Sequence, residues 1–334
     1  MDEQQHEWTS PEDTSETDSA VGHDYAYLTQ SLRSSLLESV EENGRGYHRY
    51  KSILGDSWAI PDDEREQERL DLQHEMFLRT FGRKLHLCPL PEDVKHVLDL
   101  GCGTGIWAID FADEHSESEI IGTDLSAIQP QFVPPNCKFE IDDFNCEWTF
   151  QQKFDFIHAR AMVGTTKDFP AMIRQAFKSL NPGGWLEMTD VLMPFRCDDG
   201  TMDGTALETW LNRQVECCEK LGIDLDAPCK FKQWMIDQGF EGVTEVQFKW
   251  PVGAWPRDKS SKILGKMTQV NFLAGIEGFT MRLWTGVLGM KPEEVQVFLA
   301  RVRRDIMNPK VHSYWPIYSV FGQKPVGSGE TATG

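Results

Sequence analysis

Residues 97–112 read VLDLGCGTGIWAIDFA. An apolar strand runs into Gly101, Gly103 and Gly105, and a helix follows. Glycines at a strand-to-helix turn let the backbone approach a ligand closely, and the helix N-terminus beyond them offers free N–H groups. An acid about 20 positions on, at the end of the next strand, can hold a ribose diol. Asp124, which closes IIGTD, stands at that distance. The dinucleotide spacing G-x-G-x-x-G would need a third glycine where this chain has Ile106. Asp99, two residues before the first glycine, is unfavourable beside a pyrophosphate and suits a ligand with ammonium and sulfonium charge. The stretch therefore predicts a nucleotide-type cofactor and argues against a dehydrogenase. Asp124 capping a turn is the plain alternative, and Cys102 reads as a small filler.

Outward from this stretch, short apolar runs alternate with helix-length segments. Strands are expected at 94–100, 119–125, 138–143, 154–160 and 184–193, with helices around 105–115 and 168–180. Such alternation predicts a parallel sheet covered on both faces. Beyond residue 200 come helices at 203–221 and 229–238, a strand at 243–250, and an aromatic and Met-rich insert at 254–309. That insert holds a helix opening at Pro292-Glu293-Glu294, and a last strand is expected at 312–322. Upstream, residues 25–90 read as a helical cap. Leu28, Leu32, Leu36 and Val40 recur at helical spacing, ENGRGYHRYK (41–50) breaks the pattern, and a second helix starts near Pro61 and stops at Gly82. Residues 1–24 read as a disordered acidic tail and 326–334 as a flexible one, so the core spans 91–325.

The 334 residues carry 33 Lys+Arg against 53 Asp+Glu, a net charge of −20. That balance argues against a nucleic-acid partner and against docking on an anionic membrane. No apolar run is long enough to span a bilayer, and the polar acidic start is unlike a secretory signal. The eight cysteines form no CxxC pair, which predicts reduced thiols, no metal, and a cytoplasmic or nuclear location.

With these residues in view, the chain resembles the class I S-adenosylmethionine-dependent methyltransferases. Asp143-Phe144 after the third core strand matches that family's adenine-contacting step. Leu180-Asn181-Pro182-Gly183-Gly184-Trp185 matches the turn into its fifth strand, and Gly239-Phe240 precedes the sixth. ENGRGYHRYK, DEREQERLDLQHEMFLRTF, GIWAIDFADEH, IQPQFVPPNCKFEIDDFNCEWTF and FDFIHARAMVG resemble the fungal LaeA-like (TAM-domain) branch over about 41–190, and the match weakens over 191–310. The resemblance implies an α/β, Rossmann-like, seven-stranded and mostly parallel sheet with helices on both faces, the N-terminal cap and the late insert. It implies S-adenosyl-L-methionine as cofactor, with Asp99, Gly101 and Gly103 at its methionine end and Gly105 opening the helix. Asp124, with Leu125 beside it, would meet the ribose. Asp143, or else Asp142, would meet the adenine, with Phe144 packed nearby. Tyr47, His48 and Tyr50 resemble a cap over the cofactor, where an aromatic can close on a sulfonium; helix packing is the alternative.

Methyl transfer from a sulfonium asks mainly for alignment and exclusion of water, with a base only for some acceptors. Alternation along FDFIHAR puts Phe154, Phe156, His158 and Arg160 on one face, so His158 and Arg160 are the candidate catalytic pair. A structural histidine and an ion-paired arginine are the alternatives. Asp190, Met193 and the helix of Trp210 would leave the fifth strand on the acceptor side. Trp255, Phe272, Phe279 and Trp284 would either line an apolar acceptor pocket or form plain core. Cys217 and Cys218 read as inert thiols. The leading expectation is a small-molecule acceptor of secondary-metabolite type. The alternatives are a LaeA-like regulator acting through protein partners at the N-terminal region or through protein methylation, and a fold recruited for another reaction. No basic nuclear-import cluster supports the regulator.

Overall fold

The computed structural model describes residues 39–48 and 60–327. The expectations for the tails at 1–24 and 328–334, for Leu28, Leu32 and Leu36, and for Tyr50 fall outside the described residues, as does the His48 side chain.

Each expected core strand forms, within a few residues of its predicted bounds. In chain order the elements are a hairpin of β1 (Ser39–Glu42) and β2 (Arg45–His48), α1 (Glu64–Thr80), β3 (His96–Leu100), α2 (Ile106–Glu114), β4 (Glu119–Asp124) and β5 (Cys137–Ile141). Then follow β6 (Phe154–Arg160), α3 (Phe169–Ser179), β7 (Leu180–Val191), β8 (Arg196–Cys197), α4 (Ala206–Leu221) and α5 (Phe231–Gln238). The chain continues with β9 (Glu241–Pro251), the insert helices α6 (Lys259–Val287) and α7 (Pro292–Met307), and β10 (Ser313–Gln323).

The sheet runs β5-β4-β3-β6-β7-β10, with β9 on the far side of β10. The strands from β5 to β7 are parallel, and β10 is antiparallel to both β7 and β9. To the expected seven strands the fold adds β8, which pairs Arg196 and Cys197 with Tyr314 and Ser313 at the start of β10. β7 is longer than predicted, because Leu180 already pairs with Phe154.

Two expectations need correction. Val40 does not continue a helix; it lies in β1, opposite Tyr47, across a turn in which Asn43 and Gly44 take φ of 52° and 75°. Consecutive left-handed residues fold the chain into a tight hairpin, a conformation Asn and Gly adopt readily. Phe154 does not share the face of Phe156. The register shifts between them, and Phe154 packs in the same core cluster as Ile157 and Ala159.

The central strands are buried on both faces, which is why they read as unbroken apolar runs. One face packs on Trp107, Ala108 and Phe111 of α2, the other on α3 and α5 through Met172, Ile173, Phe231 and Met235. A third cluster joins α1, α4, α6 and α7 over β9 and β10 through Phe77, Trp210, Phe272, Trp284 and Leu299. These helices cover the carboxyl ends of the parallel strands, where open α/β sheets bind ligands. α1 begins on a capped turn: Asp63 accepts from the Glu66 N–H at 3.0 Å and is paired with Arg45 at 2.6 Å. None of the described helices is long and apolar enough to cross a membrane.

Candidate active site

Gly101, Gly103 and Gly105 all take left-handed φ, at 62°, 55° and 79°, a conformation that strains any residue with a Cβ. The loop is tied to the end of β4. The Gly103 N–H donates to Asp124 Oδ2 at 2.8 Å, the Ser126 N–H donates to Oδ1 at 2.9 Å, and Gln129 Nε2 donates to the Gly103 carbonyl at 2.7 Å. Burial pushes the Asp124 carboxyl upward, and these N–H groups oppose the shift. From above, α1 closes on the loop: Thr104 Oγ1 donates to Asp71 at 2.8 Å, and a Cβ on Gly103 would lie 3.4 Å from Leu70.

A cavity of about 270 Å³ opens beside this loop. Gly101, Gly103, Asp124, Leu125 and Phe144 border it. Trp210, Phe272, Phe279, Leu283 and Trp315 also line it, supplied by α4, α6 and β10. Arg160, Met162, Asp190, Val191 and Met193 belong to its wall as well. A recess of about 60 Å³ next to the loop is bordered by Asp99, Gly101, Gly103, His158, Arg160 and His74.

Three of the residues expected at the cofactor lie outside both walls. Tyr47 is fully buried under the Arg282 guanidinium, 3.6 Å from its ring centre, so the cation on this aromatic is a side chain of α6; burial pushes its phenol up to about 12. Gly105 caps α2, where a Cβ would meet the Phe139 ring at 2.4 Å. Its left-handed turn and the Phe139 ring beside it call for glycine on their own. Asp143 turns its carboxylate onto its own loop, accepting from the Asn145 N–H at 3.0 Å and from Asn145 Nδ2 at 3.1 Å. Asp142 accepts from the Asp143 N–H at 2.8 Å and borders neither space.

The presumed catalytic pair divides. Arg160, at the end of β6, reaches both spaces; its Nη2 lies 2.9 Å from His74 Nδ1, and its guanidinium covers the Phe77 ring at 4.6 Å. Burial pulls the guanidinium down to about 10, still cationic at neutral pH. His158 is one step deeper on the same face and does not border the main cavity. Its Nδ1 lies 2.7 Å from Asp99 Oδ1, and Trp107 stacks on its ring at 3.8 Å and 6°. Burial lowers the imidazole pKa, with the Asp99 hydrogen bond opposing.

Of the late aromatics, Phe272 and Phe279 line the cavity. Trp255 instead donates to the Ser313 carbonyl at 3.0 Å and Trp284 to Gln214 at 2.7 Å. Cys217 and Cys218 are buried, their thiols pushed up to about 11 and 12 by desolvation, and Cys218 borders the cavity. One trio among the described residues, His86, Cys88 and Glu187, has metal-ligand character. Its groups already satisfy each other: Glu187 accepts from the Leu87 and Cys88 N–H groups at 2.8 and 2.7 Å, and His86 Nδ1 bonds the Cys88 carbonyl at 2.8 Å. Burial and the neighbouring Glu187 carboxylate keep the Cys88 thiol well above its ordinary range.

Sequence reasoning missed the contribution of α1. Glu66, Arg69, Leu70 and Gln73 line the cavity, and buried Arg69 bonds Glu66, Gln73 and Asn271 at 2.7–3.0 Å. Polar residues at 66, 69, 73 and 74 recur at helical spacing, and that inward polar stripe was the available signal.

The donor set fits a cationic nucleoside cofactor. Asp99 Oδ2 is buried with no hydrogen-bond partner, an arrangement that is unfavourable until a donor or cation meets it. Two acids and a glycine cradle offer an ammonium and a ribose their complements. A Cβ at Gly101 would enter the space of Met162, 2.7 Å from its sulfur.

The profile of a methyltransferase domain matches residues 72–245. The chain is 39% identical over 297 residues to methyltransferase pytC of Aspergillus terreus, covering 88% of this chain and 91% of that one. It is 37% identical over 310 residues to probable methyltransferase tdiE of Emericella nidulans, covering 92% and 97%. With protein-methionine methyltransferase laeA of Emericella nidulans it shares 30% identity over 294 residues, covering 86% and 76%. Glycine spacing, strand order and these likenesses agree: the chain belongs to the class I S-adenosylmethionine-dependent methyltransferases, within the branch of fungal LaeA-like proteins.

Proposed function

We propose that this enzyme methylates a small, largely apolar molecule held against the α4 and α6 wall of the cavity. One observation carries the reading: the polar atoms on that wall are already satisfied within the protein. Trp210 Nε1 donates to Thr280 Oγ1 at 2.8 Å, Gln214 Nε2 donates to the Phe279 carbonyl at 2.8 Å, and Trp315 Nε1 points at the Met193 sulfur at 3.2 Å. The remaining surface is ring and aliphatic carbon, which favours apolar rings and penalises strongly hydrated groups.

S-adenosylmethionine supplies an activated methyl group on a sulfonium. Asp99, Gly101 and Gly103 would hold its methionine end, Asp124 and Leu125 its ribose, and Phe144 the adenine side. Gly105, Asp143 and Tyr47 support these from behind, through the helix cap, the 143–146 turn and the hairpin. The chain's own work is then alignment and exclusion of water. Asp190 is the ionisable group at the end of β7. Burial pushes it up to about 7, against the pull of the Met162, Val163 and Val191 N–H groups, so it can accept a proton near neutral pH. Arg160 fits an anchoring role better than a proton-transfer role, because its charge persists.

The test incubates the protein with methyl-labelled S-adenosylmethionine and a fungal extract split into small-molecule and protein fractions. Label in an organic-soluble compound supports the proposal. Label confined to protein would overturn it and favour the second reading, a protein acceptor, which the likeness to laeA motivates.

A further inference from the structure

His158 and Asp99 are direct neighbours across β6 and β3. Both side chains are buried, and the 2.7 Å contact joins His158 Nδ1 to Asp99 Oδ1. A carboxylate only accepts, so Nδ1 carries the proton of this bond. Trp107 stacks on the imidazole face and is itself fixed by a 2.9 Å bond from Nε1 to the Leu85 carbonyl. The ring can therefore neither swing toward the main cavity nor release Oδ1. The other carboxylate oxygen, Oδ2, is buried and unpartnered, and Asp99 borders the recess beside Gly101 and Gly103.

We infer that His158 is a positioning residue rather than a catalytic base: its Nδ1–H pins Asp99 so that Oδ2 alone is presented to the ammonium group of the cofactor's methionine end. A general base must reach the acceptor's proton, and His158 borders the recess but not the main cavity, with Trp107 stacked on its ring. A carboxylate free to rotate would spread its acceptor strength over several orientations. Pinned through one oxygen and stacked from behind, it is preorganised for a single cation.

The experiment measures binding, not turnover, and needs no methyl acceptor, so its failure is separate from that of the proposed function. Calorimetry compares S-adenosylhomocysteine with methylthioadenosine, which lacks the ammonium-bearing end. Asparagine places an N–H near the position of Nδ1, whereas glutamine places it nearer Nε2. His158→Asn is expected to keep S-adenosylhomocysteine affinity within about threefold. His158→Gln is expected to lose about tenfold or more, the size of one hydrogen bond to a charged group. Methylthioadenosine should bind both variants as it binds the parent. Asp99→Asn keeps an oxygen for Nδ1–H but removes the charge at the second position, and should show the same selective loss even if His158→Gln fails to fold. Equal weakening of both ligands, or an unchanged ratio in Asp99→Asn, would overturn the inference. So would S-adenosylhomocysteine binding in His158→Gln as tight as in the parent.

Discussion

Gly103 and Gly105 share a left-handed backbone, yet the structure gives them different work, and alanine at each position separates the two. Either substitution incurs the left-handed penalty of about 1–2 kcal/mol, offset in part by about 0.4–1 kcal/mol from a stiffer unfolded chain. At Gly103 the new methyl would sit 3.4 Å from Leu70, a contact that a small side-chain shift absorbs, so the net loss should be about 1 kcal/mol. At Gly105 it would sit 2.4 Å from a Phe139 ring carbon and 2.7 Å from the next. Overpacking of this kind adds about 1–3 kcal/mol, for a total of about 2–4 kcal/mol. Binding should run in the opposite order. Gly103 borders both spaces, so its methyl should weaken S-adenosylhomocysteine by tenfold or more, about 1.4 kcal/mol. Gly105→Ala should leave affinity within about threefold wherever the protein is folded. Urea unfolding with calorimetry on both variants checks this. If Gly103→Ala binds like the parent, or Gly105→Ala unfolds no earlier than Gly103→Ala, the division between cradle and packing glycine is wrong.

Asp63→Ala removes the α1 cap and leaves the buried Arg45 guanidinium with the longer 4.0 Å Glu66 contact in place of its 2.6 Å ion pair; a loss of about 3 kcal/mol is expected from urea midpoints, with partial recovery in Arg45→Met/Asp63→Ala. Burial, with Arg160 adding to it, holds the His74 imidazole near a pKa of about 4 despite its Asp110 contact. The unfolded imidazole takes up its proton near 6.5, so this contribution is complete above that pH and lost as pH falls toward 4. At pH 5 the parent should have lost about 2 kcal/mol more than His74→Gln, read from urea midpoints at pH 7 and pH 5. Phe279→Trp on the α6 wall would fill acceptor space; acceptor KM should rise severalfold while S-adenosylhomocysteine affinity stays unchanged, and an equal weakening of both would contradict the acceptor role given to that wall.

Sequence alone determined what local backbone chemistry determines. VLDLGCGTGIWAIDFA can hardly be anything but strand, left-handed turn and helix, and Asp124 at the end of the next parallel strand is placed by the crossover itself. The apolar runs of β3, β4 and β6 announced a sheet covered on both faces, because strands buried on two sides lose their alternation. Tertiary structure decided which partner each polar or aromatic side chain would find. Tyr47 had a cation in view, but that cation is Arg282, far along the chain on α6. His158 had the chemistry of a base, but parallel register set it beside Asp99, 59 residues away, and Trp107 closed over it. The inward polar stripe of α1 gained its meaning only when packing on α6 and the glycine loop buried it. Backbone conformation responds to a handful of neighbouring residues, and so it is written in short motifs. Side-chain partnership depends on how strands pair and helices cross over the whole fold, and no short stretch of chain contains that information.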